Sequence, residues 1–261
     1  MSVWVNGRAD LGLDLHDPLL LGAGTFTTLR TYGRRLWQID AHLRRLHAGA
    51  SWLGAPWSTD WLCEFDRLDA HIRATAGPEQ KVHAILSASG ARVLRSAPLD
   101  EHLVRRPVAA RSATGPVGPP GAARHKLTTR ALWGPGGEER LFTLNDRWLE
   151  TDRGNIFVVR DGSLITAPDD GNILPGVTRE LLLRIARAEG ISVRIEAPAR
   201  GATDALYVCS TLKELAPIVQ LNGEARQAGE AIGDRLLQRW GELVESGTSP
   251  TRAAPESANR P

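Results

Sequence analysis

The sequence predicts an α+β protein built as two mixed lobes with a cleft between them. Three observations carry that reading. Short runs rich in β-branched and aromatic residues occur in both halves of the chain, as strands require. Amphipathic helical segments alternate with those runs. Between the halves, residues 111–123 read RSATGPVGPPGAA, and three prolines with three glycines in thirteen residues fit neither a helix nor a central strand. The expected division is a small N-terminal α/β lobe over 1–110, a linker over 111–123 and a larger C-terminal lobe over 124–246. The polar, proline-bearing end, 247–261, predicts a disordered tail.

In chain order, residues 2–6 alternate toward a short strand, and Asn6-Gly7 is a hairpin-type turn signal. Residues 24–32 carry Thr25, Phe26, Thr27, Thr28 and Leu29, which favour a pleated strand. Asp40 is read as the N-cap of a helix in which Leu43, Leu46, Ala50 and Leu53 recur at helical spacing, with Gly54 as its stop. A second amphipathic helix is expected over 58–76, then strands over 81–87 and 103–109. Beyond the linker, strands are expected over 140–144, 155–160, 163–167, 204–209 and 218–221, and helices over 178–189 and 230–245.

Bulk composition narrows the function. The 32 basic and 30 acidic side chains leave a formal charge of +2, and no Lys/Arg block is dense enough to suggest nucleic-acid binding. Cys63 and Cys209 are far apart, which argues against a disulfide framework or thiolate metal site and suits a reducing cytoplasm. The N-terminus gains charge and glycine too early for a signal peptide, and the longest apolar runs are too short to span a bilayer. A cytoplasmic protein without a membrane partner or bound metal is expected.

Several local signals carry chemistry. In 174–190, LPGVTRELLLRIARAEG, a Pro-Gly turn delivers Val177 and Thr178 to the start of a helix, where free N–H groups and the dipole favour an anion. Taken alone, this is more often an ordinary capped helix start, because most helix starts bind nothing. In WLETDRGNIFVV, Glu150 precedes a Gly-Asn bend and an apolar strand; a buried carboxylate there suits a protonated pyridine nitrogen, and its bland counterpart is a solvated turn carboxylate. Lys126, just after the linker, can form an imine with a carbonyl cofactor if desolvated, although most lysines are solvated. Arg45, on the helix DAHLRRL, and the hydroxyls of Ser210 and Thr211 are candidate phosphate contacts. Gly22-Ala23-Gly24 lacks the third glycine and the following helix of a dinucleotide site, and the histidines show no metal-ligand spacing.

The order of these signals resembles one family. Gly22 to Phe26, His42 to Leu46, Lys126, Glu150 with Asn155 to Phe157, Gly176 to Arg179 and Ser210 to Pro217 follow each other as in the fold-type IV pyridoxal-phosphate (PLP) enzymes. That group includes the D-amino-acid and branched-chain aminotransferases and 4-amino-4-deoxychorismate lyase, and the likeness covers roughly residues 3–225. The resemblance implies a two-lobed D-amino-acid-aminotransferase-like fold with PLP in the cleft between lobes. It implies that Lys126 holds PLP as a Schiff base and moves protons, and that Glu150 pairs with the pyridine nitrogen. Arg45, Val177, Thr178, Ser210 and Thr211 would then form the phosphate cup, and the protein would be a homodimer. GTFTTLR, with Thr27, Thr28 and Arg30, and Arg130 four residues after Lys126, are closest to the lyases, in which a threonine would help deliver a proton. A lyase releasing pyruvate and 4-aminobenzoate, as in folate synthesis, is the leading expectation. An aminotransferase for D- or branched-chain amino acids stands second, and a cofactor-free binding protein on the same fold third. Arg30, Arg92 and Arg95 are candidates for the substrate carboxylate.

Overall fold

The computed structural model describes residues 2–9, 12, 14, 16–75, 77–115, 121–129, 138–201, 204–227 and 229–247. The N-terminal lobe is a five-stranded antiparallel sheet covered on one face by two helices. Its elements are β1 (Ser2–Val5), β2 (Gly24–Tyr32), β3 (Arg35–Leu36), α1 (Ile39–Leu53), α2 (Trp61–Ala74), β4 (Gln80–Ser87) and β5 (Arg92–Pro98), in the sheet order β1-β5-β4-β2-β3. Period two divides β2 between two environments. Leu29 joins Leu43, Leu46, Phe65 and Leu68 in the core beneath the helices, with Thr25 and Thr27 on the same face. Phe26, Thr28, Arg30 and Tyr32 face the other way, toward the second lobe.

Three expectations in this lobe change. α1 starts at Ile39 with Gln38 as N-cap in the left-handed region at φ 59°, so Asp40 sits in the first turn, where its charge still favours the helix dipole. The Asn6-Gly7 turn closes only a single bridge between Val5 and Arg8. β1 pairs instead with β5, a strand whose charged residues hide its period.

The C-terminal lobe is a closed barrel. Its elements are β6 (Val108–Thr114), β7 (Glu139–Leu144), β8 (Arg147–Thr151), β9 (Asn155–Arg160), β10 (Ser163–Thr166), α3 (Val177–Ala188), β11 (Ser192–Ile195), β12 (Ala205–Ser210), β13 (Glu214–Leu221), β14 (Glu224–Ala225) and α4 (Ala231–Glu245). The path β9-β12-β13-β6-β7-β8 returns to β9 through the pair Glu150↔Asn155, which closes the ring. β9 and β12 are near-continuous apolar runs because both faces are covered. Ile156, Val158, Leu206 and Val208 fill the barrel with Trp148 and Ile218, whereas Phe157, Val159, Tyr207 and Cys209 pack outward against α3 and α4. β6 runs through the start of the proline-rich stretch and pairs with β7 and β13, so Arg111–Thr114 is barrel strand. The segment expected as a strand from 103 instead begins with a 3-10 turn at Glu101–Leu103. No described helix is long and apolar enough to cross a membrane.

One carboxylate fastens the lobes together. Glu214, 2% exposed, begins β13 with its backbone in the left-handed region at φ 58°. It accepts from Arg30 Nη1 at 3.0 Å and Tyr32 Oη at 2.7 Å in the first lobe, and from Arg105 Nε at 2.6 Å just before β6. Burial, reinforced by this carboxylate, raises the Tyr32 phenol pKa, so the phenol stays a donor. Glu214→Ala is expected to cost about 3–5 kcal/mol in urea unfolding, because it strands the buried Arg30 guanidinium. A loss under about 1 kcal/mol would mean that the arginine finds water instead.

Candidate active site

The functional residues meet where the barrel rim faces the N-terminal sheet. The C-terminal end of β12, the turn before β9 and the start of α3 all reach this rim, and β2, β4 and α1 cover it. Between them lies a cavity of about 370 Å³, lined by Phe26, Thr28, Arg45, His83, Lys126, Val177, Thr178, Ser210 and Thr211 among others.

Lys126 reaches the cavity because its segment adds to the edge of β2. Phe26 N donates to Lys126 O at 2.8 Å, Thr128 N donates to Gly24 O at 2.9 Å, and Thr25 Oγ1 donates to Lys126 O at 3.1 Å. Gly24 has to be glycine for this docking: a Cβ there would stand 2.8 Å from Leu19 Cδ1 and from Leu86 O. This explains the Gly-Ala-Gly run that resembled a dinucleotide loop. The Lys126 ammonium lies 5.0 Å from the centre of the Phe26 ring.

A candidate anion cup is assembled from three elements. α3 opens at Val177 behind Gly176, and no side chain caps its first turn, so those amides point to the cavity without a protein acceptor from a cap. A Cβ at Gly176 would stand 1.9 Å from Asn155 Oδ1, so the close approach of α3 to β9 demands glycine. Thr178, Ser210 and Thr211 place hydroxyl side chains on the same wall. Arg45 comes from α1.

Thr27 does not face the cavity. Its Oγ1 accepts from Arg45 Nη2 at 2.8 Å and lies 2.7 Å from His42 Nδ1. A hydroxyl can accept two hydrogen bonds and donate one, so the direction of the Thr27–His42 bond follows the imidazole tautomer. Burial, then Arg45 and Lys126, push the His42 pKa well below its ordinary value, so the ring is held neutral. Thr27 therefore orients Arg45, and Thr28 is the threonine on the cavity wall.

Glu150 stands behind the cavity lining. Its Oε2 accepts from Asn155 Nδ2 at 3.1 Å and from Leu174 N at 3.1 Å, and both of those residues line the cavity. Asn155 Nδ2 also donates to Leu174 O at 2.8 Å. Arg179 is buried against Thr166 Oγ1 at 3.1 Å and Ala167 O at 2.6 Å, and burial lowers its pKa. Burial likewise pushes the Cys209 thiol up to about 12, so it lines the cavity as an inert, uncharged group.

Three candidate arginines lie elsewhere. Arg30 is bound to Glu214 and stacked 4.1 Å over the Tyr32 ring, and it lines a smaller pocket that shares Val177, Thr178 and Thr211 with the main cavity. Arg92 faces α2, where Glu64 Oε1 accepts from its Nη2 at 2.7 Å. Arg95 is exposed on β5 opposite His83. Arg130 lies outside the described residues.

His83 was not legible as a site residue. The antiparallel register sets it opposite Thr28, and its ring meets Phe26 edge-on at 6.4 Å. Burial, then the charges of Lys81, Arg95 and Lys126, lower its pKa to about 4. The only signal was period two in QKVHAILS, which puts His83 opposite the core face of β4.

A family model for amino-transferase class IV matches residues 134–221, the stretch that carries Glu150, the α3 start and the Ser210 turn. A provisionally named branched-chain-amino-acid aminotransferase of Methanocaldococcus jannaschii is 33% identical over 116 residues, 41% of this chain. That match spans 40% of the relative's own length. Among solved structures, a provisionally named 4-amino-4-deoxychorismate lyase from Legionella pneumophila has a TM-score of 0.77 at 20% identity, covering 89% of this chain and 95% of that one. A hypothetical aminotransferase from Mycobacterium tuberculosis, in its PLP-bound form, has a TM-score of 0.78 at 20% identity, covering 92% and 96%. The fold is that of the fold-type IV PLP enzymes, and the cofactor of the class IV family is PLP.

The residues present fit that cofactor. An uncapped helix start with three hydroxyls and a guanidinium suits a phosphate, a carboxylate held by an amide suits a pyridinium N–H, and a lysine reaches the same space.

An unperturbed imidazole titrates near ~6.5, so between that value and about 4 the unfolded chain binds a proton that folded His83 refuses. Stability therefore rises with pH across that window and is lost as pH falls through it; buried His42 acts in the same direction. His83→Asn is expected to show a shallower fall of Tm with acidification than the parent, measured by calorimetry. An unchanged slope would mean that His83 is solvated.

Proposed function

We propose that this protein is a PLP-dependent lyase that cleaves 4-amino-4-deoxychorismate to pyruvate and 4-aminobenzoate, with Lys126 as its central residue. The observation that carries the reading is the wall shared by Lys126 and Thr28: an amine and a hydroxyl on one cavity, next to a histidine held neutral. A lyase must take a proton from one carbon and deliver one to the departing product, and this pair can do both without a second substrate.

Lys126 would hold the cofactor's carbonyl carbon through Nζ, yield that position to the substrate amine, and then act as the base at the substrate carbon. Bound PLP supplies an electron sink that stabilises negative charge at that carbon. Glu150 would keep the pyridine nitrogen protonated, and its bonds from Asn155 and Leu174 N fix the carboxylate for that contact. Arg45, the Val177 and Thr178 amides, and the hydroxyls of Thr178, Ser210 and Thr211 would grip the phosphate. Thr27 and His42 orient Arg45. Thr28 would hand a proton to the departing enol.

The similarity to a branched-chain-amino-acid aminotransferase, 33% identical over 116 residues, supports a second reading as an aminotransferase of D- or branched-chain amino acids. There the same Lys126 would move the proton between two carbons, and a 2-oxo acid would be required as acceptor. Folate supply, cytoplasmic location and a homodimer belong to the proposed reading.

Protein purified with PLP is expected to show a visible absorbance band that is lost in Lys126→Ala. Aminodeoxychorismate generated in place should yield pyruvate and 4-aminobenzoate in equal amounts, with no acceptor added. Turnover that depends on a 2-oxo acid would replace the lyase with the aminotransferase. A colourless parent protein would overturn the assignment of Lys126.

A further inference from the structure

Lys126 is fastened differently on its two sides. From Lys126 onward the chain is pinned to β2 by the backbone bonds at Phe26 and Gly24, and Thr128 Oγ1 and Thr129 Oγ1 both donate to Gly22 O, at 2.6 and 2.7 Å. Lys126 itself is the middle residue of a three-residue turn, because Leu127 N donates to His125 O at 3.0 Å. His125 is the other foot of that turn. Its ring lies on the Trp52 indole, with centroids 5.3 Å apart and planes 27° from parallel. We propose that the stack of Trp52 and His125 is a positioning device for Lys126, holding the foot of the turn so that Nζ stays where it bonds the cofactor's carbonyl carbon. This rests on the reading of Lys126 as the cofactor lysine and adds two residues that act through it.

The close approach of α1 to β2 delivers the indole. A Cβ at Gly49 would stand 2.2 Å from Thr25 Oγ1, and that hydroxyl donates to Lys126 O at 3.1 Å. Trp52 lies three residues on, nearly one turn along the same side of the helix, so the contact at Gly49 brings it against the Lys126 segment. Leu43, Leu46 and Ala50 of the same helix belong to the core, whereas Trp52 is 45% exposed and has its aromatic contact with His125. Burial, then the neighbouring Arg124 charge, lower the His125 pKa, so the ring meets the indole as a neutral aromatic face.

A second side-chain tie before Lys126 joins Arg124 Nε to Asp169 Oδ1 at 3.4 Å, but both side chains are well exposed and water screens such a pair. A neutral aromatic stack is not screened in that way. It is therefore the tie that fixes His125, whose backbone is extended at φ −114° and ψ 136°. Without it the foot of the turn gains freedom, and Lys126 Nζ spends less time at the carbonyl carbon. The bond at stake forms when the neutral Lys126 amine adds to the cofactor's aldehyde carbon. A C=N bond results, and the aldehyde oxygen leaves as water with both amine protons. The phosphate is gripped on another wall, at the α3 start and the Ser210 turn, so the stack governs the covalent part of cofactor binding and leaves the cup alone.

The test compares PLP with pyridoxine phosphate, which carries an alcohol in place of the aldehyde and cannot bond Lys126. Both are titrated by calorimetry into the cofactor-free full chain, and the visible band is recorded at saturation. Trp52→Ala and His125→Ala should each weaken the aldehyde by about threefold to tenfold, the scale of one aromatic pair, and leave the alcohol unchanged. The double variant should bind no more weakly than either single one, because both remove the same contact. Trp52→Phe and His125→Phe keep a ring on each side and should recover most of the loss. Equal weakening of both ligands, losses that multiply in the double variant, or aldehyde binding within twofold of the parent overturns the proposal. If Trp52→Ala does not fold, His125→Ala reads the same contact from the other side. Parent protein that shows the band and prefers the aldehyde upholds the Lys126 reading, so unaffected variants then fail the stack alone. Parent protein without the band fails the Lys126 reading and the stack with it.

Discussion

The Asn155 side-chain amide ties together the parts of this molecule that have to agree. It stands in the pair Glu150↔Asn155 that closes the barrel, so its backbone completes the ring. Its Nδ2 donates to Glu150 Oε2 and to Leu174 O, and its Oδ1 sits where a Cβ on Gly176 would have to be. Barrel closure, the orientation of Glu150 and the approach of α3 are therefore one constraint. A planar amide with donors on one side and an acceptor on the other satisfies all three; Asp would lose the donors and repel Glu150.

The second lobe supplies a rim, and the first supplies a lid with chemistry on it. Glu214 joins them through Arg30, Tyr32 and Arg105, and it does so from the residue directly after the cavity-lining turn that carries Ser210, Thr211 and Lys213. The left-handed backbone at Glu214 is the local strain that this arrangement tolerates, held in place by three donors. The lobe interface and the shape of the cup are thus set by the same few residues. A change at the clasp is felt at the cup without any contact to a ligand.

The cavity is cationic by construction, and its neighbours keep other charge out of it. His42 and His83 are held neutral by burial and by nearby cations, and burial keeps Cys209 protonated. Among the lining side chains, charge therefore resides on lysine and arginine across the ordinary pH range, which suits a phosphorylated cofactor and an anionic substrate.

The sequence by itself determined the α+β class, the two-lobed plan and most of the strands, and it singled out Lys126, Glu150, Arg45 and the helix start at Val177, which the fold brings to or beside one cavity. Those residues were legible because each carries a local signature: a Pro-Gly turn before a helix, a Gly-Asn bend before an apolar run, and a spacing that resembles a known family. Closure of the barrel was not legible, since the ring depends on β6 pairing in parallel with β13, far away in the chain, and a pairing of that kind leaves no mark in local sequence. The roles of Thr27 and Thr28 differ only by which face of β2 each occupies, and the facing element decides that. Arg30 and Arg92 were candidates for a substrate carboxylate, and the fold pairs them with Glu214 and Glu64, because a charge reveals its partner only through long-range contact. His83, Arg153 and Lys213 reach the cavity lining through strand register and turns between distant elements, which leave no mark in local sequence.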